Sequence, residues 1–272
     1  MRPTESAVPS RRSTAGHGDP IFGSVIVGVD TTAESVVAAA QARCLCAPGG
    51  FLEVLAIAET HLAAHAGFSA PHAADELVAA TRKELESVRE LVEPDSFRLV
   101  TGSIAETLIA EAKLRSATLV VLGAARHGRL TARLFGGPDM PLLRNAPCSV
   151  LVARAGWGGR RPRRILVGVD GSPEAAAAEE VARALAARLE CELKPVIALG
   201  GKPIENARLA AGRDDALLDP RTVFEALSAA PEDSLVVLGS SAEDRPSGVC
   251  THVAHEARCS VLVVRHPHPS AT

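Results

Sequence analysis

Three short apolar blocks each occur twice in the chain, in the same order, and this repeat limits the possible folds more than any other feature. The pairs are VIVGVD at 25–30 with ILVGVD at 165–170, VVLG at 120–123 and at 236–239, and CSVLV at 148–152 and at 259–263. The offset between partners falls from 140 to 116 to 111 residues, so the second copy is the shorter one. The repeat predicts two domains of one fold, joined in tandem.

Within each copy, short apolar runs alternate with helical patterns. This alternation is typical of βαβ units and predicts an α/β fold with a parallel sheet covered by helices on both faces. Ser103 and Glu106 have the spacing of a capping box. The elements predicted for the first copy are strands at 24–29, 52–58, 97–100, 119–122 and 149–153, and helices at 33–44, 74–91 and 104–113.

The second copy is predicted to be a reduced version of the first. Ser172 and Pro173 suit the start of its first helix, and residues 200–219 form a short polar segment in place of the long second helix. A helix at 221–229 follows that segment. The predicted strands are 165–169, 192–199, 235–238 and 261–265.

A segment rich in Gly, Arg and Pro separates the two copies and is predicted to be a linker. The predicted organisation is a tail at 1–20, a first domain at 21–154, the linker at 155–163, a second and degenerate domain at 164–265, and a tail at 266–272.

The composition argues against several classes of function. A net charge of -3 with a sequence pI of about 6.3 gives no basic field for nucleic acid. Tyrosine is absent and aromatic residues make up 3%, so platforms for stacking bases are not expected. No apolar run approaches the ~20 residues of a membrane span, and the first twenty residues lack the apolar segment of a secretory signal. Six cysteines, several of them in apolar runs, favour reduced thiols in a cytoplasmic protein.

A loop rich in glycine and arginine follows the fourth strand of the first copy. It leaves the end of a buried apolar run at Gly123 and continues through Gly136 and Gly137 into a short helical segment. Open α/β sheets hold anionic ligands at such places, where a loop joins the carboxyl end of a strand to a helix amino terminus. The sequence therefore predicts an anion site in the first domain.

The motifs VGVD, GSIAE at 102–106 and VVLG with APCSVLV, in this order and partly repeated, resemble the universal stress protein family in its tandem two-domain form. The resemblance extends from Gly23 to Arg265. It implies two open, doubly wound domains, each with a five-stranded parallel sheet of order 3-2-1-4-5, paired through their fifth strands. The apolar runs 150–152 and 261–264 support this pairing, because such strands promote aggregation when their edges stay unpaired.

Some members of the family bind ATP, through Gly-x-x-Gly, nine residues and Gly-Ser/Thr after the fourth strand, with an acid at the end of the first strand on the adenine side. Two of the four motif positions match in this chain, because Arg126 stands at the second glycine and Gly137 at the hydroxyl residue. The resemblance implies ATP, with or without Mg²⁺, as ligand of the first domain. The implied binding residues are Asp30, Gly123, Arg126, Gly128, Gly136 and Gly137.

Two hypotheses on function stay open at this point. In one, the chain is a non-enzymatic stress-response or signalling protein that binds ATP through its first domain. In the other, it is a nucleotide-free scaffold that acts through protein contacts, because two motif positions have changed. No Ser-His-Asp or metal arrangement of persuasive spacing occurs, so slow ATP hydrolysis is the most activity expected.

The second copy is not expected to bind nucleotide. Its loop after Gly239 is shorter and carries Glu243 and Asp244, whose charges would repel phosphates. It is expected to act as the partner domain of an intrachain pseudo-dimer, and two chains can pair again as a homodimer.

Overall fold

The described part of the first half contains five strands. The computed structural model describes residues 21–30, 32–58, 86, 88–124, 139–158, 160–241 and 248–266. The labelled elements of the first half are β1 Ser24–Val29, α1 Ala33–Leu45, β2 Phe51–Ala58, β3 Ser96–Thr101, α2 Ile104–Leu114, β4 Leu119–Gly123, α3 Asp139–Asn145 and β5 Ser149–Ala153.

The second half repeats this series in a shorter form. Its elements are β6 Arg164–Gly168, α4 Pro173–Leu189, β7 Glu192–Ala198, α5 Ile204–Ala211, β8 Leu217–Asp219, α6 Val223–Ser228, β9 Ser234–Ser241, α7 Gly248–Glu256 and β10 Ser260–His266.

The ten strands of the described residues form one sheet, in the order β3-β2-β1-β4-β5-β10-β9-β6-β7-β8. Strands within each half are parallel, and the halves meet where β5 pairs antiparallel with β10, with Leu151 opposite Leu262. The second half therefore has the strand order of the first half. The prediction of two five-stranded domains paired through their fifth strands is confirmed.

Helices cover both faces of the sheet and create two apolar cores. Residues of α1 and α4 fill one core, while residues of α2, α3, α6 and α7 fill the other. Alternate residues of a strand serve opposite cores, as Val25 and Ile26 do in β1, and both are buried. A strand that is buried on both faces needs apolar residues at every position, which accounts for the uninterrupted apolar runs.

Directional hydrogen bonds also cross the junction between the halves. The buried Gln41 donates from Nε2 to the Arg154 carbonyl at 2.6 Å and accepts from Ser260 Oγ at 2.8 Å. Arg188 of α4 donates to the carbonyl of Leu45, the last residue of α1, at 2.6 Å. Buried polar groups need such partners, so these bonds favour one relative placement of the two halves.

The prediction of a short polar segment at residues 200–219 did not include the two elements that this segment contains. It contains α5 and the three-residue strand β8, which pairs with β7 and supplies the fifth strand of the second half. Only Ala207 of α5 is buried, so the segment lacks the apolar stripe by which a helix is recognised in a sequence.

Two further sequence predictions, a helix at 74–91 and a linker at 155–163, can be compared with the structure only in part. The helix predicted at 74–91 falls largely outside the described residues, although residues 88–92 are helical. The predicted linker begins with a short 3-10 helix at Ala155–Trp157, and the Trp157 side chain is buried in the first of the two cores.

The capping box predicted at Ser103 and Glu106 is not formed. Ser103 precedes α2 at the N-cap position, but its side chain makes no capping hydrogen bond. Its ψ is 130°, against 157° at Thr222 and 155° at Ser172, whose hydroxyls do accept from the following helix. A full capping box occurs instead at α6, where Thr222 and Glu225 each accept from the other's backbone N–H.

This difference predicts unequal effects of two matched substitutions. We expect Thr222→Ala to lower the free energy of unfolding by about 1 kcal/mol, because the Glu225 N–H in the first turn of α6 loses its side-chain acceptor. Ser103→Ala removes no capping bond, so we expect a change within about 0.5 kcal/mol. Urea unfolding followed by circular dichroism measures both, and an equal loss in the two variants would contradict the assignment of the caps.

Candidate ligand site at the carboxyl edge of the sheet

A cleft lies between the carboxyl ends of β1 and β4. The chain runs outward from β1 to β2 and β3 and then returns to the other side of β1 as β4, so this edge is the topological switch point of the first half. The cleft contains both described candidate residues, Asp30 and Gly123. Its described lining is Gly28, Val29, Asp30, Thr32, Ser35, Ile104, Leu122 and Gly123.

Asp30 is anchored by the turn that leads into α1. Its Oδ1 accepts hydrogen bonds from the Thr32 backbone N at 2.9 Å and from Thr32 Oγ1 at 2.5 Å. Ser35 Oγ donates to the Asp30 carbonyl at 2.9 Å. These bonds fix the orientation of a partly exposed carboxylate at the wall of the cleft.

The equivalent acid of the second half makes the same turn. Asp170 Oδ1 accepts from the Ser172 backbone N at 2.9 Å and from Ser172 Oγ at 2.6 Å. Closing this turn is therefore sufficient to account for an acid at the end of β1 and of β6. A ligand role for Asp30 needs evidence beyond the presence of the residue.

Gly123 ends β4 where the strand packs directly against the start of α1. A Cβ atom at Gly123 would lie 2.7 Å from the Glu34 carbonyl oxygen, and one at Gly239 would lie 2.0 Å from the Glu174 carbonyl oxygen. Both distances are shorter than a van der Waals contact, so both positions require glycine for packing. A larger residue at this position, as in Gly123→Val, would push α1 away from β4. Loss of nucleotide binding in such a variant would therefore not show that Gly123 contacts the ligand.

The other four candidate residues are Arg126, Gly128, Gly136 and Gly137, and they lie outside the described residues. The segment that holds them joins Gly123 in the cleft to the start of α3 at Asp139. Their assignment to a phosphate site stays a prediction.

In the second half, α5 closes on the turn that corresponds to the Asp30 turn. A Cβ atom at Gly171 would lie 1.8 Å from the Ala210 carbonyl oxygen, so the carboxyl end of α5 touches this turn. Arg213 holds the segment in place, because it pairs with Glu179 of α4 and, at 2.6 Å, with Asp215. The sequence analysis did not predict that α5 contacts this turn. The one residue that indicates the contact is Gly171, because the first half has threonine at the equivalent position.

Neither a metal cluster nor a reactive thiol stands out in the described part of the chain. It contains no group of three or more His, Cys, Asp or Glu that could hold a metal ion. Burial raises the pKa of Cys148 to about 12 and that of Cys259 to about 11, so both thiols stay protonated at neutral pH.

None of the described helices combines the length and the apolar character that a membrane crossing requires.

Comparison with known proteins gives one family and one fold. Residues 22–154 match the model of the Universal stress protein family. The fold is similar to that of a universal stress protein from Archaeoglobus fulgidus DSM 4304, at 14% identity and a TM-score of 0.67, over 91% of this chain and 98% of that chain. A functionally unknown protein from Pseudomonas aeruginosa PAO1 is similar at 17% identity and a TM-score of 0.58, over 90% and 92% of the chains. Both comparisons extend across the two halves of this chain.

The packing at the ends of the fourth strands predicts a graded loss of stability. We expect Gly123→Ala to lower the free energy of unfolding by about 1–3 kcal/mol through overpacking, and Gly239→Ala by at least as much because its space is smaller. Gly248→Ala is the control, since among the described residues no atom outside its own helix lies within 4 Å of a Cβ placed there. Denaturant unfolding gives the three values, and a loss at Gly248 equal to that at Gly239 would contradict this explanation.

Proposed function

We propose that this chain, whose residues 22–154 belong to the universal stress protein family, is a stress-response or signalling protein that binds ATP between β1 and β4. It acts by binding and not by catalysis, with slow hydrolysis of the bound ATP as its greatest activity. We propose the cytoplasm as its location, because all six cysteines are free thiols, which suits a reducing compartment.

The observation that supports this proposal is the set of side chains that line the cleft. Val29, Ile104 and Leu122 give it apolar walls suited to a flat base, and Asp30 offers a fixed acceptor at the same place. A carboxylate in this position suits the amino group of adenine or a hydroxyl of ribose, since both donate hydrogen bonds. The cleft also lies where open α/β sheets commonly bind nucleotides.

The phosphates are assigned to the segment that follows Gly123. Arg126 would donate its guanidinium to phosphate oxygens, and the backbone N–H groups at Gly128, Gly136 and Gly137 would supply further donors. Mg²⁺ would reduce the charge of the triphosphate. In this assignment Gly123 contributes by packing, because it lets β4 end against α1.

The second half is proposed to bind no nucleotide. Its α5 covers the turn at Gly171, and its loop after Gly239 carries two acids. It serves instead as the partner that pairs with β5. The chain is thus a pseudo-dimer with a single ligand site, and pairing of two chains into a homodimer stays a prediction.

A second candidate function is a nucleotide-free scaffold that acts through protein contacts. The observation in its favour is that Asp30 and Asp170 make the same turn. Asp30 belongs to the half that keeps the glycine loop, and Asp170 belongs to the half in which that loop is shorter. The turn alone is then enough to explain Asp30, and no ligand is needed.

Calorimetric titration of the purified, folded protein with Mg²⁺-ATP tests the proposal, and we expect one equivalent of ATP per chain. Asp30→Asn should weaken binding by about tenfold, because a charged acceptor becomes neutral while Asn Oδ1 still accepts from the Thr32 N–H. Asp170→Asn is the matched control, since it changes the same turn in the other half, and its affinity should stay within about twofold.

Three results would count against parts of the proposal. Folded wild-type protein that gives no heat with ATP would favour the scaffold. Equal weakening by Asp30→Asn and Asp170→Asn would show that Asp30 acts through the fold and not through the ligand. Two equivalents of ATP per chain would contradict the assignment of the second half as a partner domain.

A further inference from the structure

An arginine of the second half contacts the carboxyl end of α3, the last helix of the first half. Arg265 lies near the end of β10, and its Nη2 donates to the carbonyl of Leu143 in the last turn of α3. The last carbonyls of a helix have no partner within the helix and carry partial negative charge. A guanidinium from the opposite half therefore caps a helix of only seven residues.

The same guanidinium also holds the second half's own strand. Arg265 Nη1 donates to the Ser241 carbonyl at 2.7 Å and lies 3.4 Å from Ser240 Oγ, at the end of β9. Burial lowers the pKa of Arg265, as expected of a guanidinium withdrawn from water among carbonyl groups. One side chain thus joins α3 of the first half to the end of β9 in the second half.

A matching arginine from the first half makes the reverse contact. Arg154 follows β5 and donates to the carbonyls of Ala254 at 2.6 Å and His255 at 2.9 Å, in the last turn of α7. Arg154 and Arg265 are 111 residues apart, which is the offset of the repeat around β5 and β10. The two halves therefore cap each other's last helix in a two-fold arrangement.

The backbone beside each arginine follows the same symmetry. The Arg154 N–H donates to Ser260 Oγ at 2.9 Å, and the Arg265 N–H donates to Ser149 Oγ at 3.3 Å. Ser149 and Ser260 are also 111 residues apart. Each arginine is thus held at its backbone by the opposite strand before its side chain reaches the opposite helix.

Only one of the two capped helices adjoins the ligand site proposed above. α3 begins at Asp139, two residues after Gly137, so it fixes the place where the chain leaves the glycine segment. Its Leu142 and Leu143 are fully buried and tie its position to the core. The segment is covalently joined to α3 at Asp139, so a shift of α3 moves the point at which the segment ends.

We propose that Arg265 is a positioning residue through which the second half holds α3 and thereby sets the nucleotide affinity of the first half. This inference rests on the proposed function for its effect on affinity, while its effect on α3 does not. The half without a ligand site then has a defined role, because it stabilises the binding half through a reciprocal helix cap.

Hydrogen exchange followed by mass spectrometry, together with ATP titration, tests the proposal on the full chain. In Arg265→Ala we expect the amides at 142–146 to exchange about tenfold faster and the ATP affinity to fall about tenfold, because α3 loses its cap. Arg154→Ala is the matched control. It should speed exchange in α7 by a similar factor and leave ATP affinity within about twofold.

Arg265→Lys separates positioning from a general loss of stability. Lysine keeps the charge but offers a single ammonium in place of a planar group that reaches two carbonyls, so we expect exchange and affinity between those of wild type and Arg265→Ala. A merely destabilising change would instead lower the melting temperature in Arg154→Ala and Arg265→Ala alike and weaken ATP binding equally in both.

Each outcome decides a part of the inference. Unchanged exchange at 142–146 in Arg265→Ala would overturn it, as would equal loss of ATP affinity in the two arginine variants. If the folded wild type binds no ATP, the proposed function fails and the affinity claim fails with it, whereas the exchange data still decide whether Arg265 holds α3. Faster exchange together with weaker ATP binding, confined to Arg265→Ala, would support it.

Discussion

The antiparallel pairing of β5 with β10 is the contact on which the rest of the structure depends. Each strand is apolar at nearly every position and would be an exposed edge without the other. Their pairing joins two five-stranded sheets into one and places α1 beside α4 and α3 near the end of β10. The buried bonds of Gln41, Ser260 and Arg154 exist only because this seam brings their groups together.

The two halves repeat the same close contacts at the ends of their first and fourth strands. Gly123 and Gly239 both end a fourth strand against a helix start, and Asp30 and Asp170 both close the turn before that helix. These residues belong to the fold, and so they recur in both halves. In the second half, α5 also touches the turn at Gly171. The second half thus retains these fold-determining residues while its own α5 lies against the turn.

The sequence predicted most of the sheet because doubly buried strands need uninterrupted apolar runs. It did not predict β8 or α5, since a three-residue edge strand and a helix with one buried residue leave no periodic pattern. It placed Asp30 at the end of the first strand but did not separate a turn role from a ligand role, because both require the same carboxylate. The bonds of Arg154 and Arg265 span about one hundred residues or more, and no local pattern indicates such contacts.

The place of β10 has a consequence for the synthesis of the protein. This strand lies in the middle of the sheet, between β5 and β9, yet it comes later in the chain than the other nine described strands. A ribosome adds 111 residues between Arg154 and Arg265, which takes roughly 5–20 s at usual elongation rates. During that interval β5 is an apolar edge without its partner. Until the second half arrives, this edge of the nascent first half is open to pairing with other chains.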